Sequence, residues 1–461
     1  MPFALFLRGP MRAAASFAAL TLSAYNQSFQ ARGVPARRQP VGIEGSMRPS
    51  WEKTFYACFV AQFLAMMGFA FVMPFLPYYL TTDLGLPDEL AVTARWSGIL
   101  MAAVGFSMAL CSPLWGILSD RYGRKPMLMR SLFGGAVVVA LMGCAQNVWQ
   151  LLILRLLQGA LTGTVATSLA LVASVTPRER TGRVIGLMQA AVFGGISVGP
   201  FAGGYTAAQL GFRPTFYVAA ALLLISGVLV KVYAEEEFVP VSHAEEKKAG
   251  GYAELFGVAG FAIAALAIFQ IHFANNAPNP IFPQFVRNLT HTTILQATPI
   301  TGKIESITGL VACLGTWFFG RLSDRWGHKR MLVASALCAS ALAFPQPLAR
   351  NIGQLYVLRI LFGLAMAGML PSANAIIREI TPERHIGRAF GTTASMAGMA
   401  FFLGPLIGGY LAAQANAFWP PFAFCSVVLL LTAVLAAWKI PSVSAACALP
   451  AAPPSDGAAP K

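Results

Sequence analysis

The sequence predicts an all-α membrane protein of twelve transmembrane helices arranged as two pseudo-symmetric six-helix bundles, and three observations carry the prediction. The 461 residues are 56% apolar and only 11% charged, whereas a water-exposed surface carries about 25% charged residues. The chain divides into twelve apolar stretches, each near the roughly 20 residues that a bilayer core requires of a helix. Its second half also repeats motifs of the first at an offset of 204 to 205 residues. With a mean hydropathy of +0.63, this composition excludes a cytosolic enzyme, a disordered regulator and a secreted disulfide scaffold.

In chain order, residues 1–50 come first as a basic extension, with Arg8, Arg12, Arg32, Arg37, Arg38 and Arg48 against the single Glu44. Such an Arg-rich, acid-poor stretch has the composition of a targeting segment. The preferred reading is a flexible extension, or an early start ahead of Met47. The expected spans are 55–80, 94–117, 127–146, 148–173, 183–207 and 213–233, forming a first bundle over 51–233. A second set at 254–280, 297–320, 330–346, 352–377, 387–412 and 417–439 forms a bundle over 253–440. Glycine and proline within these runs do not count against helix, because neighbouring helices re-satisfy freed backbone groups. Between the bundles lies a polar linker, 234–252, with Glu235, Glu236, Glu237, Glu245 and Glu246, and 441–461 reads as a disordered tail.

Positive residues are retained on the cytoplasmic side of a membrane. The loops after spans 2, 4, 8 and 10 hold fourteen Lys and Arg, and the opposite loops hold four, Arg95, Arg213, Arg287 and Arg350. Both termini are then expected inside. The net charge of +15 therefore reflects topology, and no nucleic-acid partner is expected. The seven cysteines include no C-x-x-C pair and read as small hydrophobes, with no metal site expected.

The repeat is specific. Gly116-Ile-Leu-Ser-Asp120-Arg121-Tyr-Gly123-Arg124-Lys125 returns as Gly320-Arg-Leu-Ser-Asp324-Arg325-Trp-Gly327-His-Lys329. Asn147-x-x-Gln150 followed by Arg155 and Gly159 returns as Asn351-x-x-Gln354 followed by Arg359 and Gly363. Gly199-Pro200-x-x-Gly203-Gly204 returns as Gly404-Pro405-x-x-Gly408-Gly409. Gly116 and Asp120 lie four apart, on one helical face, where a glycine permits close approach and a carboxylate can meet a helix N-terminus or an arginine. Gly195, Gly199 and Gly203 recur every fourth position, a flat face for tight packing. Leucine at 199 is expected to force two helices apart, with alanine milder.

These motifs resemble those of the major facilitator superfamily, over about residues 52 to 440. The two Gly-to-Lys loops are similar to its conformational latch, and Gly195-x-x-x-Gly199-Pro200-x-x-Gly203-Gly204 looks like the antiporter motif of its export members. Gly68-x5-Pro74-x-x-Pro77 resembles a pattern of the twelve-span drug:proton antiporters. The resemblance implies a monomeric exporter of amphipathic drugs or toxic small molecules in a bacterial inner membrane. It would be driven by a proton gradient, with no cofactor and with lipid as its surroundings. The alternative is an importer or exporter of a metabolite such as a sugar or organic acid. A P-E-S-P-R-like stretch, expected of a sugar porter, does not occur after span 6, and no nucleotide loop supports direct ATP drive. Gly195-Ile-Ser197-Val-Gly199 fits a hydrolase elbow only in pattern, without the preceding strand the chemistry needs.

An intramembrane ionisable residue is a functional candidate by default. Arg155 and its counterpart Arg359 qualify, although Arg155 lies about two turns from the start of its span and could snorkel outward. Lys303 and Glu305 are also charged. Glu305 either carries the coupled proton or, if span 8 starts later, sits in water at the interface. Cavity candidates are Gln62, Met66, Phe69, Gln189, His272, Asn275, Asn276, Asn374, Met396 and Phe401. Flexible Met and Phe with a few polar anchors suit multiple substrates.

Overall fold

A computed structural model describes residues 51–236, 252–258, 260–382 and 385–440. The extension, most of the linker and the tail lie outside the described residues, as does the side chain of Asp120. The first half runs α1 (Trp51–Ala70), a 3-10 turn (Met73–Phe75), α2 (Leu76–Thr82), α3 (Leu90–Tyr122), α4 (Arg124–Gly143), α5 (Val148–Leu161), α6 (Thr164–Val175), α7 (Arg178–Leu210) and α8 (Phe212–Tyr233). After a short α9 (Tyr252–Gly257), the second half runs α10 (Phe261–Asn276), α11 (Phe282–Thr290), α12 (Ile294–Trp326), α13 (His328–Ala343), α14 (Ile352–Ala367), α15 (Met369–Ile380), α16 (Ile386–Ala415) and α17 (Trp419–Lys439).

The repeated polar motifs prove to be helix starts and turns. Asn147 and Asn351 cap α5 and α14, each accepting from the backbone N–H of Gln150 or Gln354 at 2.9 Å. Those glutamines reach back to the backbone N–H of Gln146 and Arg350 at 2.8 Å. Two orphan donors are thereby satisfied at each helix start. Gly123 and Gly327 turn the chain between long helices at φ 96° and 91°, a region open to glycine at little steric cost.

Among the described residues four spans are broken, the first, fourth, seventh and tenth. The first breaks at residues 71–75 and the seventh at 277–281, each beside a pair of prolines (Pro74 and Pro77; Pro278 and Pro280). The fourth turns at Gly163, φ 140°, and the tenth at Gly368. Lone prolines at 113, 200, 299 and 405 stay inside continuous helix, so the expectation of uninterrupted spans holds for them and fails where two prolines lie close together. Each removes a donor and clashes with the preceding turn. The seventh span also departs from 254–280: α9 is separate, and Gly260 in the left-handed region starts α10 at Phe261.

Ten helices among the described residues are long and apolar enough to cross a membrane. The broken seventh span and the polar eighth, α12, complete twelve. That eighth span begins at Ile294, earlier than the sequence suggested.

In the first half α1 packs on α7 and α8, α3 on α5, and α4 on α8; in the second α10 packs on α16 and α17, α12 on α14, and α13 on α17. Each bundle has its own apolar core, the first built on Phe75, Tyr79 and Phe216 and the second on Phe261, Phe362 and Leu429. Two seams join the halves, α3 with α16 and α7 with α12.

Candidate functional site

The seams are built on glycine. A methyl group on Gly98 would come within 2.7 Å of the Pro405 carbonyl oxygen, and one on Gly105 within 2.6 Å of the Phe402 backbone nitrogen. Across the other seam, Gly302 abuts Pro200, and a methyl on Gly309 would meet Ser197 Oγ at 2.8 Å. The Phe201 N–H donates to Ser306 Oγ at 2.9 Å in the same seam. Gly98 and Gly302, like Gly105 and Gly309, are 204 residues apart. Sequence reasoning missed these four, although their offset was the signal that would have found them.

The seams hold the end opposite the basic loops. Toward the basic end, Gly116 and Gly320 have open space around them, as do Gly182, Gly186 and Gly391. The close approach expected of Gly116 is therefore not made in this conformation.

At the first latch loop, a carboxylate does meet a helix N-terminus, but it comes from the linker. Glu236 accepts from the backbone N–H groups of Arg124 and Lys125 at 2.8 and 2.7 Å. Lys125 Nζ donates in return to the carbonyl oxygens of Lys231 and Ala234 at 3.1 and 2.6 Å, at the end of α8. Both contacts complement helix dipoles. At the second loop the contacts differ: the ring of His328 meets Ser323 Oγ at 2.7 Å and Glu379 at 3.2 Å. Arg121, Asp324 and Arg325 are exposed, and Lys329 is half-buried. Glu236→Ala is expected to destabilise the first bundle by about 1 kcal/mol, as loss of a helix cap does. A lower unfolding temperature in detergent checks this, with Glu235→Ala as the control.

Arg155 is buried at 3% exposure and Arg359 at 8%, so neither snorkels. Arg155 donates to Gln158 Oε1 at 3.2 Å, and its Nε and Nη2 have no hydrogen-bond partner among the described residues. The same two nitrogens are unpartnered in Arg359, whose guanidinium lies 3.8 Å from the Phe282 ring and 5.8 Å from Phe422. Glu305 is half-buried and close enough for its charge to act on Arg359. It lies eleven residues into α12, about 17 Å at 1.5 Å per residue. The interfacial reading went with a later helix start, whereas α12 begins earlier than expected. Lys303, two residues earlier, is exposed.

The cavity candidates separate into two groups. Gln189, Asn275 and Phe401 are exposed, while His272, Asn374 and Met396 are half-buried. His272 and Phe401 meet across spans 7 and 11 as tilted rings with centroids 5.5 Å apart. Gln62 is buried and accepts from Ser168 Oγ at 2.8 Å, tying span 1 to span 4. Three expectations are overturned. Met66 packs against Gly195 of α7, and Phe69 turns its ring onto Gly135 of α4. Asn276 is buried against Gly404 and donates to the His272 carbonyl at 2.7 Å. All three fill gaps that small residues leave between helices, which a list based on residue type does not reveal.

Residues 58–298 and 264–455 match the family described as Major Facilitator Superfamily. "Multidrug resistance protein MdtG" of Serratia proteamaculans (strain 568) is 33% identical over 393 residues, covering 84% of this chain and 94% of that protein. The protein of the same name from Proteus mirabilis (strain HI4320) is 34% identical over 385 residues, covering 82% and 94%. Among solved structures, a D-xylose–proton symporter superposes with a TM-score of 0.70 at 18% identity over 85% of this chain and 98% of that one. The human organic anion transporter MFSD10 gives 0.61 at 20% identity, over 84% and 100%. These two likenesses concern the fold alone.

Proposed function

The chain belongs to the Major Facilitator Superfamily, and we propose that within it the protein is a secondary active exporter of amphipathic drugs or other toxic small molecules, exchanging them for protons. The observation that carries this reading is the extent of its likeness to proteins named for multidrug resistance, which runs through nearly their whole length. The geometry supports it. Two glycine seams close one end while the basic end stands open, as alternating access about a midplane site requires. Basic loops face the cytoplasm by the positive-inside rule, so both termini lie inside and the conformation is inward-open in a bacterial inner membrane.

The embedded charges fit a coupling role. Glu305 and Arg359 lie at hydrocarbon depth in facing helices of the second half, where ionisable residues serve transport or proton relay. The protein acts as a monomer and draws on the proton gradient alone. Cells expressing it are expected to accumulate less of a fluorescent drug such as ethidium than vector controls, with the difference lost on adding an uncoupler. Equal accumulation with and without expression, across a panel of cationic, neutral and anionic compounds, would contradict export.

A further inference from the structure

Near the basic end of the first bundle, away from the seams, a charged side chain is left with donors to spare. Arg130 on α4 lays its guanidinium over the Trp115 ring of α3, 3.3 Å from the centroid. Its Nη2 donates to Ser131 Oγ at 3.1 Å, while Nε and Nη1 have no hydrogen-bond partner among the described residues. Trp115 is itself fixed, its Nε1–H donating to the Ala160 carbonyl oxygen at 2.6 Å near the end of α5. Leu161, the next residue, packs on Gly134, one turn beyond Arg130. Three helices thus hold the pair in place. Stacking on an aromatic face attracts the charge, but it satisfies none of the N–H donors in the guanidinium plane.

The pair faces lipid. α4 packs on α8, α5 and α6 of its own bundle, and the stripe that carries Arg130 continues through Val137 and Leu141, which are 60% and 46% exposed. Arg130 lies six residues into α4, and Trp115 seven before the end of α3. At 1.5 Å per residue both are about 9 to 10 Å from the basic turn at Gly123. The 33 residues of α3 span about 50 Å, more than the roughly 40–45 Å of a bilayer with its headgroups. Its ends therefore stand clear of the membrane, and the pair lies at the depth where phosphates give way to acyl chains. The internal repeat shows that the fold does not need it. At the 204-residue offset Ser131 returns as Ser335, but Trp115 and Arg130 are replaced by Phe319 and Ala334.

We propose that Trp115, Arg130 and Ser131 form a binding site for the phosphodiester of an anionic phospholipid in the leaflet at the basic end. The orientation proposed above serves only to name that leaflet as the cytoplasmic one. Phosphate oxygens accept charge-assisted hydrogen bonds from the guanidinium, and the acyl chains run along Val137 and Leu141. Basic pockets between spanning helices on the cytoplasmic side take headgroups of this kind. Arg121 and Arg124 flank the turn at Gly123 and disfavour a zwitterionic headgroup, whose ammonium would come among like charges. Bound lipid ties α3 and α4 to the last turn of α5, directly before the break at Gly163.

Hydrogen exchange on the full-length protein in lipid nanodiscs reads binding without substrate, so its outcome is independent of export. Replacing part of the phosphatidylcholine with phosphatidylglycerol should slow exchange several-fold in peptides covering 126–133 and 158–163. The counterparts at 330–337 and 362–367 should not change. Inorganic phosphate added to phosphatidylcholine discs should not reproduce the effect. Arg130→Gln should lose it, and Arg130→Lys should keep only part, since lysine lacks the planar fork. Arg321 stacks on Trp317 of its own helix at 3.8 Å and is exposed, so it bridges no helices and Arg321→Gln should retain the full effect. Three results would overturn the proposal: exchange that phosphatidylglycerol leaves unchanged, equal slowing in both halves, or the same slowing by inorganic phosphate. Full slowing in a folded Arg130→Gln would do so as well. If that variant does not fold, the wild-type comparison between the two halves decides.

Discussion

Alanine at Gly408 is expected to abolish export and sharply reduce the amount of folded protein in the membrane. A Cβ there would lie 2.6 Å from the carbonyl carbon of Ala277, the residue that opens the break in span 7. Backbone cannot rotate away as a side chain does, so the damage should exceed the roughly 1–3 kcal/mol of ordinary core overpacking. Gly203 stands in the corresponding relation to the break in span 1, where a Cβ would lie 2.6 Å from the carbonyl carbon of Phe71. Gly203→Ala should be as harmful as Gly408→Ala. At Gly199, alanine alone would place its methyl 2.6 Å from Ala70 Cβ, so Gly199→Ala is expected to do harm as well, though less than Gly199→Leu. Gly186→Ala, whose methyl meets nothing within 4 Å, is the control. Folded yield by size-exclusion chromatography, with efflux from expressing cells, checks the set; Gly408→Ala behaving like Gly186→Ala would mean that spans 7 and 11 are not in backbone contact.

Glu305→Gln is expected to reduce gradient-driven export to the level of the vector control while leaving the protein folded and able to bind substrate. The amide keeps the shape and polarity of the side chain but holds no exchangeable charge beside Arg359. Counterflow, in which labelled drug exchanges for unlabelled drug without a gradient, should survive. Lys303→Gln should export normally, since Lys303 is exposed on a different face of α12. Wild-type export by Glu305→Gln across an imposed pH gradient would remove this carboxylate from the coupling scheme.

Much of the architecture was legible because it is periodic. Apolar run lengths set the spans, and the 204-residue offset set the two halves. The Asn-x-x-Gln pairs, which entered only as repeats, turned out to be the caps of α5 and α14. The breaks were harder to read, since lone prolines survive in continuous helix and only their pairing distinguishes Pro278 and Pro280 from Pro405. Met66, Phe69 and Asn276 have the composition of a binding cavity, yet each sits against a glycine of a neighbouring helix. Which way a side chain points depends on the neighbouring helix, and one helix's sequence does not contain that. Glu236 read as one of several linker acids, and only the return of α8 toward the start of α4 makes it a cap.

Proton-for-drug exchange is the centre of this account, and inverted membrane vesicles acidified inside test it most directly. Their interior corresponds to the outer face, so an antiporter carries drug inward as protons leave. Adding drug is expected to dissipate the pH gradient in vesicles containing the protein, the gradient to drive drug accumulation, and Glu305→Gln to lose both. Drug accumulation that persists unchanged after the gradient is collapsed, or a gradient that drug addition leaves intact, would contradict it.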